Sequence, residues 1–244
     1  MALKGKKIMI DPSGGLYKDE KSQQWVFQKK PVAGVPADIL TAEIATMLYE
    51  MLKVVGTDVL ATRDLHRAFA NTGESGQALF NEGASQYLRR CRVRPSMRVN
   101  PSSDHLPRSI WGDGATSAEC DAKARLNYCR HTSSEVMVVI DITHYVSDQG
   151  LEIAHNGVGG AKDMADRVLR DVAKLTRRRP AGVRDLLDEE QAYAALDIPA
   201  IIINCGSTWD PATARLLSKY WFRTNVAMGI FSGIWRHFNA DASE

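Results

Sequence analysis

The amino-acid sequence predicts a three-layer α/β/α domain with a mostly parallel β-sheet. Segments with the apolar pattern of strands alternate with segments of helical spacing along the 244 residues. Residues 136–140 and 199–203 are apolar at every position, which is typical of strands covered on both faces. No internal repeat or low-complexity tract is visible. We therefore predict a single domain over residues 1–244, with an insertion at about 65–117.

The elements of the first part of the chain follow from local patterns. A short strand is predicted at 6–12, and residues 16–36 are polar and are predicted to form a loop. A helix is predicted from Asp38, since apolar residues recur with helical spacing until Gly56 stops it. A second strand is predicted at 58–62.

The remaining elements are predicted in the same way, after an insertion that shows little regular pattern. They are a possible helix near 77–90, a helix at 118–130, strands at 136–140 and 151–154, a helix at 163–175, a strand at 199–203 and helices from about 211. Several residues of the last helices have the spacing of a buried face and are predicted to lie in the core: Trp221, Phe222, Met228, Ile230, Ile234 and Trp235.

Composition excludes several classes of protein. The net charge of +2 disfavours a strongly basic nucleic-acid binder, so a nucleic-acid partner is not expected. No apolar run approaches the ~20 residues of a membrane span, and the beginning of the sequence lacks a signal-peptide pattern. Four cysteines without a CxxC pair do not form a disulfide scaffold. We expect cytoplasmic synthesis without a signal peptide and reduced thiols.

Three predicted strands end in polar residues, namely Asp11, Asp141 and Asn204. Ligands of open α/β sheets bind in the crevice beyond the carboxyl ends of the strands. These three strand ends therefore predict the place of a functional site.

Five segments, in this order, resemble the zinc-dependent N-acetylmuramoyl-L-alanine amidases of the family-3 type. They are IMIDPSGG at 8–15, LTAEIATMLYEMLKVVGTDVLATRD at 40–64, ARLNYC with EVMVVI at 124–140, GLEI at 150–153, and PAIIINCG followed by DP at 199–211. The resemblance implies an amidase-like fold. It also implies zinc-dependent cleavage of the bond between the sugar and the stem peptide of bacterial cell wall.

The four positions that carry the family's chemistry differ in this sequence. Ser13 stands in place of the first zinc-binding His, Ala37 in place of the Glu ligand, Asp141 in place of the second His, and Asn204 in place of the catalytic Glu. A catalytic zinc needs three protein ligands, and alanine offers no ligand atom. Asparagine cannot accept a proton from water near neutral pH. We therefore expect no catalytic residues and no metal, and we predict a catalytically inactive amidase-like module for binding or assembly.

Two alternatives keep an enzymatic function. A metal site could be rebuilt from Asp11, Asp141 and His144, with Glu152 or His155 nearby, which would give an active peptidoglycan amidase with an atypical zinc site. The second alternative is a hydrolase of some other amide that shares only the fold.

Three residues are predicted to contact a ligand. Trp209 follows Asn204 at the rim of the predicted site, and Arg63 lies in the matching Thr-Arg-Asp segment. Arg184 belongs, with the basic run 177–179, to a stretch that resembles the family's Arg-Gly-Val segment near the substrate groove.

The expected partners are peptidoglycan fragments at the site and a protein at the 65–117 insertion. That insertion contains a basic run of five arginines, which a solvated helix end would also explain: Arg89, Arg90, Arg92, Arg94 and Arg98. The missing signal peptide fits a phage or prophage protein, so a virion component is the predicted setting.

Overall fold

The computed structural model describes residues 3–18, 25–29, 31–32, 34–63, 65, 125–130, 132–143 and 150–240. The predicted helix near 77–90 lies outside the described residues, as does the 65–117 insertion apart from Leu65.

The described residues contain eight strands and four α-helices, numbered here in chain order. The strands are β1 (Lys7–Pro12), β2 (Leu16–Lys18), β3 (Trp25–Phe27), β4 (Asp58–Ala61), β5 (Val136–Thr143), β6 (Leu151–His155), β7 (Pro180–Asp185) and β8 (Ala200–Ser207). The helices are α1 (Ala37–Val54), α2 (Ala161–Thr176), α3 (Pro211–Leu217) and α4 (Tyr220–Ala240). Residues 125–130 are also helical, and Asp188–Tyr193 form a 3₁₀ helix.

Six of these strands form one sheet in the order β4-β1-β5-β8-β6-β7. Strands β4, β1, β5 and β8 are parallel, whereas β6 runs antiparallel to β8 and β7 runs parallel to β6. The prediction of a mostly parallel sheet is confirmed.

The larger core lies between the sheet and helices α1, α2 and α4, which all pack on one face. The other face carries a smaller core that includes Met9, Met137 and Ile202, and it is covered by residues from the 125–130 segment and from the 3₁₀ helix. These two cores make the three layers that the sequence predicts.

Helices α2 and α4 pack at unusually close range. A Cβ added at Gly229 would lie 2.5 Å from Cα of Val172, and one added at Gly233 would lie 2.4 Å from Cα of Val168. Only glycine permits this approach of two helix backbones.

The loop predicted at 16–36 and the core predicted for the last helix are partly wrong. Strands β2 and β3 form a short antiparallel hairpin inside the predicted loop, and β7 was not predicted as a strand at all. Trp221, Met228 and Trp235 are 52%, 44% and 44% exposed. Their seven-residue spacing places them on one stripe of α4, which faces away from the core.

Within the described part of the chain, no helix combines the length and the apolarity that crossing a membrane requires.

Candidate functional site

The predicted site residues form a polar row at the carboxyl ends of the parallel strands. Asp141 of β5 pairs in register with Asn204 of β8, which pairs with Glu152 of β6. Asp11 of β1 pairs with Val139 and so lies one pleat behind this row. Because side chains alternate along a strand, all four point to the sheet face that carries the smaller core.

Asp11 has a structural role behind this row. It is fully buried, and both of its oxygens accept hydrogen bonds from Nη1 of Arg125 at 2.9 and 2.7 Å. Thr62 donates through Oγ1 at 2.6 Å, and the hydroxyl of Tyr193 donates at 3.4 Å. Burial and the charge of Asp11 raise the pKa of Tyr193, so the phenol stays a neutral donor. Asp11 thus ties β1 to the helical 125–130 segment and to the 3₁₀ helix.

Lys29 places its ammonium group at the centre of the site. The Nζ atom donates hydrogen bonds to the carboxylate of Asp141, to Oγ of Ser13 at 3.3 Å and to the carbonyl oxygen of Ile142 at 3.1 Å. Three acceptors match the three donors of an ammonium group. The side chain of Lys29 is 12% exposed and that of Asp141 is 20% exposed, so the ion pair is largely shielded from water.

Lys29 also positions the beginning of α1. Its backbone N–H donates to Oδ2 of Asp38 at 3.0 Å. Asp38 lies in the first turn of α1, where a negative charge interacts favourably with the helix dipole. Burial raises the pKa of Asp38, although the charge of Lys29 and backbone hydrogen bonds from Lys29 and Gly15 act in the opposite direction.

Two glycines allow the loop after β1 to approach these charged groups. Gly14 and Gly15 have φ angles of +83° and +112°, a backbone conformation that favours glycine. A Cβ on Gly14 would lie within the carboxylate of Asp38, and a Cβ on Gly15 would lie 2.5 Å from Cζ of Arg63. The Ser-Gly-Gly sequence is therefore needed for the close packing of this loop.

The Lys29 ammonium determines the charge state of Asp141. Burial alone would raise the pKa of Asp141, but the charge and hydrogen bonds of Lys29, together with Ser13, hold it below the usual value. Asp141 is therefore an ionised partner of Lys29 at neutral pH.

The four positions that depart from the amidase pattern lie as follows. Ser13 and Asp141 both contact the Lys29 ammonium, whereas Ala37 is buried in the larger core. Oδ1 of Asn204 accepts a hydrogen bond from the backbone N–H of Gly206 at 3.0 Å. These groups do not fit a zinc ion, because an alkyl group replaces one ligand and a cation bonds to the atoms of two others.

The two carboxylates of the alternative metal site are also paired with cationic side chains. The carboxylates of Asp11 and Asp141 bond to Arg125 and Lys29, and His144 lies outside the described residues. His155 pairs with Ile201, three residues along β8 from Asn204, and so lies ~10 Å from the row, toward the opposite end of the sheet. In the described ranges, no group of three or more His, Cys, Asp or Glu is arranged to hold a metal ion.

The three predicted binding residues lie in different environments. Trp209 is 51% exposed just after β8 and is available to a ligand. Arg184 bonds to Glu152 at 2.7 Å and to Glu190 at 2.6 Å, so its charge is used within the protein. Arg63 is 1% exposed beneath Gly15. Ligand binding by all three stays a prediction.

Sequence reasoning missed Lys29 and Asp38 as site residues. Lys29 lies in a polar stretch, and its partner Asp141 follows 112 residues later, so no local spacing marks the pair. Asp38 had a usable signal, since an acidic residue in the first turn of a helix is a recurrent feature of helix N-termini.

No protein-family model and no curated protein matches this sequence. Solved structures with a similar fold are found among cell-wall amidases. The CwlD amidase from Clostridioides difficile, solved in complex with the GerS lipoprotein, is 14% identical with a TM-score of 0.65, over 97% of this chain and 100% of that one. An N-acetylmuramoyl-L-alanine amidase from Clostridium difficile 630 is 16% identical with a TM-score of 0.61, over 97% and 98% of the two chains.

The catalytic domain of the CD27L endolysin, which targets Clostridia difficile, is a more distant neighbour. It is 12% identical with a TM-score of 0.51, over 95% of this chain and 97% of that one. At these identities the likeness shows an amidase-like fold, as the sequence resemblance predicts.

Proposed function

We propose that this chain is an amidase-like protein that binds fragments of bacterial cell wall without hydrolysing them. The amidase-like fold supports the choice of ligand class. One observation supports the absence of catalysis, namely the ammonium group of Lys29 held between Ser13 and Asp141. The sequence resemblance assigns these two residues to zinc-ligand positions of the family.

The charge of Lys29 disfavours a metal ion at this site. A zinc ion at these positions would lie beside the Lys29 ammonium, which already bonds to Asp141. Two unit positive charges about 4 Å apart repel by roughly 4 kcal/mol near a protein surface, and the repulsion doubles for a divalent ion. Lys29 thus neutralises the one carboxylate that would attract the metal, and Asn204 supplies no general base.

The same groups are suited to binding. Lys29, Asp141 and Asn204 are held in place by hydrogen bonds at the strand ends, so a ligand would meet a pre-organised polar surface. Trp209, two residues beyond the end of β8, adds an exposed aromatic ring on which the apolar face of a sugar can stack.

Co-sedimentation with purified peptidoglycan, followed by a measurement of released amino groups, tests this proposal. Each amidase cut frees one amine, so we expect the protein to sediment with peptidoglycan and to release no amines. The variant Trp209→Ala should bind about fivefold more weakly, the scale of one aromatic contact.

The matched control is Trp235→Ala on α4. This tryptophan is 44% exposed, which is close to the 51% of Trp209, but it lies on the helix-covered side of the sheet. We expect its removal to leave binding unchanged. Amine release that rises with protein concentration would instead favour the alternative of an active amidase. Failure of the wild-type protein to sediment would contradict the cell-wall ligand.

Two further parts of the proposal concern the setting of the protein. They are a protein partner at the 65–117 insertion and a place in a phage or prophage particle, and both are predictions from the sequence. Mass spectrometry of purified particles from the producing strain, with and without cross-linking, tests both. Absence of the chain from the particles would contradict the virion role.

A further inference from the structure

An arginine-lined cavity opens at the beginning of β6 and β7. It has a volume of about 550 Å³, and its lining comprises Gly150, Pro180, Ala181 and the three consecutive arginines 177–179. We refer to it as the arginine pocket. Ser13, Asp141 and Asn204 are not among the residues that line it.

The positive charge of the arginine pocket is only partly compensated. Arg178 donates to Oγ1 of Thr213 at 2.9 Å, and Asp210, which caps α3, is the carboxylate that interacts with it. Among the described residues, Arg177 and Arg179 make no hydrogen bond or ion pair with any side chain. Both are exposed to solvent. Two free guanidinium groups in one cavity are suited to an oxyanion, since each can donate two parallel hydrogen bonds.

The arginine pocket lies at the same end of the sheet as the polar row. Glu152, the second residue of β6, pairs with Asn204, and Leu151 pairs with Pro180 at the beginning of β7. β7, where the pocket opens, therefore lies three strands from β5, a lateral offset of about 14 Å along the sheet at 4.8 Å per strand. An extended peptide of four residues spans about 14 Å.

We propose that the arginine pocket binds a carboxylate at the far end of a stem peptide whose sugar-proximal end lies at the polar row. This inference rests on the proposed function, because it takes the cell-wall fragment as the ligand. It adds the chemical feature that the protein recognises, a peptide carboxylate about four residues from the sugar.

Calorimetric titration with two soluble muramoyl tetrapeptides tests the inference. One peptide carries free carboxylates, and the other carries the same carboxylates as amides. We expect wild-type protein to bind the free form about fivefold more tightly, the upper range for an exposed charge pair. The double variant Arg177→Gln/Arg179→Gln should bind both forms equally, at the affinity of wild type for the amidated form. Raising the salt concentration should reduce the wild-type preference.

The matched control is Arg170→Gln/Lys174→Gln. It removes the same charge from exposed positions of α2 outside the arginine pocket, so the preference for the free carboxylate should persist.

Failure of the arginine-pocket inference and failure of the proposed function give different binding results. Equal binding of both peptides by wild type would overturn the assignment of a carboxylate to the arginine pocket and leave the proposed function in place. Binding of neither peptide would overturn the proposed function itself. Tighter binding of inorganic phosphate than of the peptide, lost in the arginine double variant, would overturn the carboxylate assignment in favour of a phosphate-bearing ligand.

Discussion

At the scale of single residues, Lys29 connects three parts of the candidate site. Its backbone contacts the first turn of α1 through Asp38, and its ammonium contacts the loop after β1 and the end of β5. Removing the side chain would leave Asp141 as an unpaired carboxylate in a largely buried position.

We expect Lys29→Met to lower the free energy of unfolding by about 2–3 kcal/mol, somewhat less than for fully buried pairs because both side chains keep some exposure. The double variant Lys29→Met/Asp141→Asn should recover part of this loss, because it removes the unpaired charge as well. Urea unfolding measures both values. A change below about 0.5 kcal/mol, the range of ordinary surface substitutions, would contradict the structural role of the ion pair.

The same pair predicts a dependence of stability on pH. The pKa of Asp141 is lower in the folded protein than the ~3.9 of an unfolded chain, so the folded state favours the carboxylate. Its contribution is present above pH ~4 and is lost as the pH falls through the folded-state pKa. We expect the free energy of unfolding of wild type to fall more steeply than that of Asp141→Asn below pH ~4.

The comparison of wild type with Asp141→Asn separates the effect of Asp141 from that of Asp38. Its pKa is raised by burial, so acidification stabilises the folded state at that residue and opposes the effect of Asp141. Because Asp38 is present in both proteins, the difference between their denaturation curves isolates Asp141. Parallel curves would contradict the lowered pKa.

Only some residues of the candidate site could be predicted from the sequence. Ser13, Ala37, Asp141 and Asn204 were found because the resemblance assigns a role to each position. Lys29 was not found, because the resemblance does not cover it and its contact joins residues 112 apart in the chain. A contact between residues far apart in the chain leaves no local pattern in the sequence.

At the scale of elements, the four parallel strands β4, β1, β5 and β8 and the strand β6 were predicted, whereas β7 and the hairpin strands β2 and β3 were not. The first five residues of β5 and the first four of β8 are all apolar, so pattern alone identified these strands. β7 is an edge strand with mostly exposed or half-buried residues, and β2 and β3 have three residues each. Such strands exist because of pairing with a neighbour, which local sequence does not encode.

The close contact of α2 and α4 gives a prediction at this scale. We expect Gly233→Ala to destabilise the protein by about 1–3 kcal/mol, because the added methyl group would overlap the backbone of Val168. Thermal or urea unfolding measures the loss. Helix propensity alone predicts the opposite, a gain of about 0.5–1 kcal/mol for replacing glycine in a helix.

Met228→Ala serves as the control on the same helix, since Met228 is on the exposed stripe of α4. Its effect should stay within about 0.5 kcal/mol. Stabilisation by Gly233→Ala would contradict the close packing of the two helices.

At the scale of the whole molecule, the fold is similar to that of cell-wall amidases, and the strand-end site holds an ion pair between Lys29 and Asp141. The sheet order, the two cores and the loop after β1 place Ser13, Asp141 and Asn204 together. Fold is set by buried apolar residues over the entire chain, whereas catalysis depends on a few side chains. A change of those few residues therefore leaves the architecture intact.

The metal content of the purified protein shows whether the Lys29–Asp141 pair excludes zinc from the strand-end site. The protein is incubated with excess zinc, passed through a desalting column without chelator, and analysed by elemental mass spectrometry, with a zinc-dependent amidase treated in parallel. We predict no stoichiometric zinc, because the Lys29 ammonium bonds to Asp141. About one zinc per chain would contradict the exclusion of zinc and would make Asp11, Asp141 and His144 the ligands to test first.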